Sequence, residues 1–130
     1  MEPTVIVLLA EDDALIGLAL QVALEEGGYA VKHVSSGAEA MAAVDEPEIA
    51  LAAIVTDIKL GAGADGWDVA RHAREAIPAI PIVYMSGDSA HEHSARGVPD
   101  SVMLQKPFAP AQVVTAVSTL LNAVPPQQPA

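Results

Sequence analysis

The sequence predicts an α/β fold, a parallel sheet covered by helices on both faces, on three observations. Short apolar runs alternate five times with segments of helical spacing, the order that builds parallel strands joined by crossover helices. The first of these runs, residues 4–10, is apolar at successive positions rather than alternate ones, as strands buried on both faces are. A chain of 130 residues, 52% of them hydrophobic, is long enough for one domain with one core and needs no cross-links.

Residues 4–10 open the chain as a buried strand. Residues 14–26 follow as a helix with Ile16, Ala19, Leu20, Ala23 and Leu24 at helical spacing, ended by Gly27-Gly28. Residues 30–34 form a short second strand. Ser36-Gly37-Ala38-Glu39 then fits a capping box opening a helix to about Val44. Pro47 lies in the connection to a central strand at residues 52–56. Asp65 is placed to cap a third helix, residues 67–76. Pro78 and Pro81 bracket the turn into the fourth strand, residues 82–85. Residues 86–99 are the least regular stretch, with room for one short helix near 90–96. The fifth strand is residues 101–104, and Pro110 opens a last helix to about Asn122, near the first turn where proline is tolerated. Residues 1–123 are read as the domain. Residues 124–130, rich in proline and glutamine, are read as a disordered tail.

Three apolar runs end abruptly in charge. The first ends in Glu11-Asp12-Asp13, the central one in Asp57, and the last in Lys106-Pro107. A glycine-rich loop with Gly61, Gly63 and Gly66 follows Asp57, and open α/β sheets keep their sites at such strand ends. If the three runs are neighbouring parallel strands, several carboxylates and one ammonium share a cleft. Like charges so close are costly unless a cation joins them. Mg2+ suits such a place, since it asks for only a carboxylate or two plus water and phosphate oxygens. Taken singly, Asp57 is an ordinary turn or capping aspartate and Lys106 an ordinary solvated lysine; the convergence changes that reading. Asp13 fits a helix-start acid favoured by the dipole rather than a ligand.

With Glu11-Asp12, Asp57, Ser86 after Val83-Tyr84-Met85, and Lys106-Pro107-Phe108 in order and spacing, residues 4 to about 122 resemble the receiver domain of two-component response regulators. The resemblance implies a flavodoxin-like, doubly wound five-stranded parallel sheet; its strand order 2-1-3-4-5 is carried over from the family and not read from the residues. It implies that Asp57 is the phosphoacceptor, taking a phosphoryl group from a phosphohistidine to form an aspartyl phosphate. Mg2+ would be held by Asp12 and Asp57, by Glu11 largely through water, and by the backbone carbonyl of Lys59. Lys106 and Ser86 would each meet a phosphoryl oxygen, and Lys106-Pro107 would be a cis peptide. The implied partners are a histidine kinase or histidine phosphotransfer protein and an output protein. Leu15 and Leu18, off the core stripe of the first helix, and Pro107-Phe108 would form the docking rim.

The sequence departs from the family pattern in places. Gly61 stands where many members have proline, and the loop to Asp65-Gly66 is one residue longer. Asp88 sits two residues after Ser86, and the stretch from Ser86 to Met103 is short. Met103 stands where many members carry a switching aromatic. A thioether has no directional donor, and residues 87–97 offer few apolar anchors. The expected output is therefore an ordering or repacking of residues 87–99 rather than an aromatic flip.

Two other readings compete. A pseudo-receiver would bind a partner without phosphorylation, which the intact Glu11, Asp12, Asp57, Ser86 and Lys106 set disfavours. An aspartate-dependent metal phosphohydrolase would carry a second acid two residues after its nucleophile, where Lys59 stands. The chain is expected to be no enzyme beyond self-dephosphorylation. Six basic and seventeen acidic side chains, net −11, argue against nucleic acid or an anionic membrane as direct partner. The absence of cysteine, of a targeting segment and of any run long enough to span a bilayer points to the cytoplasm. Met1 close to the first strand and the loose tail suggest a complete single-domain protein. His33, His72, His91 and His93 are read as surface residues, Trp67 and Tyr84 as packing residues, and Met41 and Met85 as core.

Overall fold

Five parallel strands lie in the order β2-β1-β3-β4-β5, in a computed structural model that describes residues 4–123. The strands are β1 (Ile6–Ala10), β2 (Ala30–Val34), β3 (Leu51–Asp57), β4 (Ile82–Ser86) and β5 (Val102–Gln105). Between and after them come α1 (Ala14–Glu26), α2 (Gly37–Asp45), α3 (Gly66–Ala76), a 3-10 turn (Ala90–Glu92) running into α4 (His93–Arg96), and α5 (Pro110–Ala123). The doubly wound α/β fold and its strand order are as expected; the tail at 124–130 lies outside the described residues.

Each strand serves two cores. Leu8, Ile54, Ile82 and Tyr84 face α2 and α3, meeting Val44, Trp67, Val69 and Ala73. Val7, Leu9, Val55, Val83 and Met85 face the other way, onto Leu20 and Leu24 of α1 and Val113 and Val117 of α5. This alternation is the reason successive positions are apolar. Leu24 is fully buried, so Leu24→Ala would cost about 2–5 kcal/mol through lost burial and the cavity left behind.

Four details differ from the sequence reading. In α1 the buried stripe is Gly17, Leu20 and Leu24, while Ile16 and Ala19 face solvent. The helix is apolar nearly all round, so periodicity alone could not choose its inner face. The capping box of α2 is only half made: Ser36 Oγ accepts from the Glu39 amide, but the Glu39 carboxylate accepts from the Ser35 and Ser36 hydroxyls. A complete box forms instead at α3, where Asp65 and Asp68 each take the other's amide at 3.0 Å. Of the histidines only His91 is exposed. His33 is half-buried against Glu11, His72 pairs with Asp45 at 2.8 Å, and His93 bonds the Ser101 hydroxyl at 2.9 Å.

Candidate functional site

The carboxyl ends of β1, β3, β4 and β5 meet at one cleft because they are neighbours in a parallel sheet. β1 delivers Glu11 and Asp12. The Glu11 amide still donates to the Val34 carbonyl of β2 at 3.0 Å, and Asp13 then caps α1, its Oδ1 accepting from the Leu15 and Ile16 amides at 2.9 and 3.0 Å. That occupation of Asp13 matches its reading as a helix-start acid. β3 delivers Asp57, opposite Met85 of β4. The Ile58 amide donates to the Met85 carbonyl at 3.0 Å, and the Gly66 amide to the Ile58 carbonyl at 2.8 Å. A Cβ at Gly66 would overlap the Asp57 carbonyl oxygen, so only glycine lets α3 begin against the backbone of the acid.

β4 ends in Ser86, whose buried Oγ accepts from the amides of Asp88 at 3.2 Å and Ser89 at 2.7 Å. The Lys106 amide donates to the Ser86 carbonyl at 2.8 Å, which sets the lysine beside β4. The Lys106–Pro107 peptide is cis, as expected. Lys106 Nζ donates to Asp57 Oδ2 at 2.9 Å and lies 3.6 Å from Glu11 Oε2.

Glu11, Asp12 and Asp57 each offer a carboxylate oxygen, all within 4.8 Å of one another. Glu11 is only 1% exposed. Burial pushes its carboxyl up to about 7, aided by the charge of Asp57 and opposed by the Asp13 amide and by Lys106. Burial alone would lower Lys106, but its hydrogen bond to Asp57 and the charges of Asp57 and Glu11 hold it above its ordinary value. Glu11 Oε1 accepts from the Asp13 amide at 3.1 Å, whereas the buried Oε2 has no hydrogen-bond partner among the described residues. An orphaned carboxylate oxygen facing two further carboxylates is a place a hard cation fits, and one lysine does not neutralise three acids.

Sequence and structure agree on which residues converge: Glu11, Asp12, Asp57, Ser86 and Lys106 share the rim. Lys59 is exposed, and its ammonium turns outward to Asp88 Oδ2 at 2.5 Å, linking the loops after β3 and β4. Leu15 and Leu18 stand 80% and 57% exposed beside the acids. Phe108 is half-buried against the α1–α5 core, beside the exposed Pro107. His33 was missed in the sequence. Its signal was Gly17, an isolated glycine inside a helical pattern, which costs about 1 kcal/mol against alanine and marks a close approach.

A family model described as the response regulator receiver domain matches residues 7–118. The response regulator receiver protein CpdR of Brucella abortus (strain 2308) is 34% identical over 119 residues, which are 90% of this chain and 97% of CpdR. The probable transcriptional regulatory protein SilR of Salmonella typhimurium is 32% identical over 118 residues, 89% of this chain, but this chain spans only 50% of its length. Among solved structures, a response regulator receiver protein from Sinorhizobium medicae WSM419 superposes with a TM-score of 0.89 at 48% identity, covering 92% of this chain and 96% of that one.

Proposed function

Because the chain belongs to the response regulator receiver domain family of two-component signalling, we propose that Asp57 is its phosphoacceptor and that the transfer requires Mg2+. The observation that carries this reading is the cleft itself: Asp57 at the tip of β3, bonded to Lys106 at 2.9 Å and flanked by Glu11 and Asp12. In the transfer an Asp57 oxygen bonds phosphorus as the bond from phosphorus to a donor histidine nitrogen breaks, and the imidazole leaves with that electron pair. Asp12, Asp57, Glu11 and the Lys59 carbonyl would hold Mg2+, which when bound offsets the repulsion between carboxylate and phosphoryl oxygens. Lys106 leaves Asp57 Oδ2 to meet a phosphoryl oxygen, and Ser86 turns its hydroxyl hydrogen to another while its lone pairs keep the Asp88 and Ser89 amides.

The donor is a histidine kinase or a histidine phosphotransfer protein. Leu15, Leu18 and Val22 recur at three- and four-residue spacing on the outer face of α1, next to the acids, and form its docking stripe. The phosphorylated state changes binding to an output protein. The protein works stoichiometrically in the cytoplasm and is no enzyme beyond its own dephosphorylation. Lys59, paired with Asp88, stands where a phosphohydrolase would need a second acid, which weighs against that reading. The test is intact mass after incubation with Mg2+ and a small acyl phosphate. One added phosphoryl group is expected for the wild type and none for Asp57→Asn. Incorporation that survives in Asp57→Asn, or that proceeds unchanged in excess chelator, overturns the proposal.

A further inference from the structure

We infer that His33 is a positioning residue for the cation site: its imidazole holds the peptide joining Glu11 to Asp12, and through it the Asp12 carboxylate. The inference rests on the Mg2+ reading above. His33 lies on β2 opposite Leu9 of β1, and its Nε2 is 3.0 Å from the Glu11 carbonyl oxygen. A carbonyl only accepts, so Nε2 carries the proton and the ring donates. That carbonyl belongs to the peptide group that carries Asp12.

Asp12 needs such help more than its neighbours do. Glu11 is buried and bonded through Oε1 to the Asp13 amide, and Asp57 is bonded to Lys106. The Asp12 side chain is exposed and makes no hydrogen bond among the described residues. Its direction is therefore set by the backbone of the turn alone. Two bonds from β2 fix that backbone: the Glu11 amide to the Val34 carbonyl at 3.0 Å, and His33 to the Glu11 carbonyl. The first belongs to the strand ladder. The second needs a side chain of this length and a place to lay it. Gly17 supplies the place, since a Cβ there would overlap Cε1 of the imidazole. A glycine in the core stripe of a 13-residue helix is a local cost, and seating His33 accounts for it.

Groups that orient metal ligands typically change metal affinity by about 10–100-fold. His33 acts one bond further back, on the ligand's own peptide, and a loss of about 3–10-fold is expected on the same scale. The experiment is calorimetric titration of Mg2+ into the full chain. His33→Phe keeps a ring over Gly17 and removes the donor; it should show that loss, while His33→Gln, with an amide N–H to offer, should return to near wild type. At saturating Mg2+ the rate of phosphorylation by a small acyl phosphate should be unchanged in both, because Asp57 and Lys106 are untouched. Gly17→Ala, which expels the ring with His33 intact, should reproduce the loss and gives a second route should His33→Phe fold poorly. Wild-type Mg2+ affinity in His33→Phe, or a His33→Gln no better than His33→Phe, overturns the inference while leaving the Mg2+ site standing. Unchanged Mg2+ affinity in Asp12→Ala overturns the site assignment and this inference with it.

Discussion

At the carboxyl rim of the sheet, the turn from β1 to α1 runs straight into a long helix packed on the core, whereas residues 87–101 after β4 have no such helix and lean on side-chain contacts. The first turn carries a backbone bond to Val34, the His33 imidazole on the Glu11 carbonyl, an aspartate cap and a 13-residue helix packed on two buried leucines. The second region has a 3-10 turn and a four-residue helix with no buried residue in either. It is tied down by the Val98 amide donating to the Tyr84 hydroxyl at 3.0 Å, by His93 on the Ser101 hydroxyl, and by the His93 ring edge-on to Tyr84 at 5.6 Å. Arg96 lies over the Trp67 ring at 5.4 Å. The difference suits the two tasks. On the proposed function, chemistry would need carboxylates held in place, and an output surface in residues 87–101 would need bonds weak enough to be exchanged, each worth about 1 kcal/mol net.

The strongest way to break this contrast is at the carboxylates. If the first rim is a preset cation site, Mg2+ stabilises the fold by mass action. Thermal melts of the wild type should shift upward in millimolar Mg2+, and the shift should vanish in Asp12→Ala plus Asp57→Ala. An equal shift in the double variant would place the ion elsewhere.

The next effect is on pH. Glu11 has its carboxyl raised from an ordinary 4.5 to about 7. Between those values the folded protein keeps a proton that the unfolded chain releases, so metal-free stability falls as pH rises through that window and is flat above it. The span corresponds to roughly 3–4 kcal/mol. Glu11→Gln should remove the slope and be more stable than wild type at pH 8 without metal. Denaturant melts from pH 4.5 to 8 measure it, and parallel curves for the two proteins would show that folding leaves the Glu11 carboxyl at its ordinary value.

The exposed side of α1 sharpens the contrast further. Leu15 is solvent-facing, so Leu15→Asp should leave stability within about 0.5 kcal/mol. If the stripe docks the phosphohistidine partner, the same change should slow phosphorylation by the cognate kinase about tenfold, the effect of losing an apolar anchor worth about 1.4 kcal/mol. Phosphorylation by a small acyl phosphate should be unaffected. Both rates falling together would make Leu15 structural.

Much of this was legible from sequence because it is local. Strand runs, proline and glycine punctuation, and acids at strand ends are properties of short segments, and they led to the alternating strands and helices and to the charged strand ends, while the strand order and Ser86 came from the resemblance to receiver domains. What was not legible depends on partners distant in sequence. The inner face of α1 is decided by His33 seated on Gly17, sixteen positions away. His93 looked like a surface residue until the turn before β5 brought Ser101 and β4 brought Tyr84 beside it. Composition suggested few apolar anchors in residues 87–97; the structure supplies aromatic and polar ones, reaching in from Trp67, Tyr84 and Ser101. Met103 gives no aromatic on β5, while Tyr84 on β4 packs 4.8 Å from Trp67 and reaches this segment with its hydroxyl.

The smallest expected effect tests that last substitution directly. Tyr84 is fully buried, and burial holds its phenol above the ordinary value, so the hydroxyl stays protonated, and it accepts from the Val98 amide. Tyr84→Phe removes that acceptor with the ring kept, leaving the Val98 amide without its partner and weakening the hold on residues 90–98 by about 1 kcal/mol. Amide exchange there should accelerate about fivefold, while amides of β1 and α1 stay as protected as in wild type. On the proposed function a phosphoryl mimic at Asp57 would draw on Ser86, whose Oγ already gathers the Asp88 and Ser89 amides at the start of the segment. It should therefore slow exchange across residues 90–96 in the wild type and recover part of the loss in Tyr84→Phe. Two results would count against a side-chain-held output region: strong, mimic-independent protection of residues 90–96, or acceleration in Tyr84→Phe that spreads equally to α1. The first would mean a rigid segment with no arrangement left to select; the second, a loss of global stability rather than of a local tether.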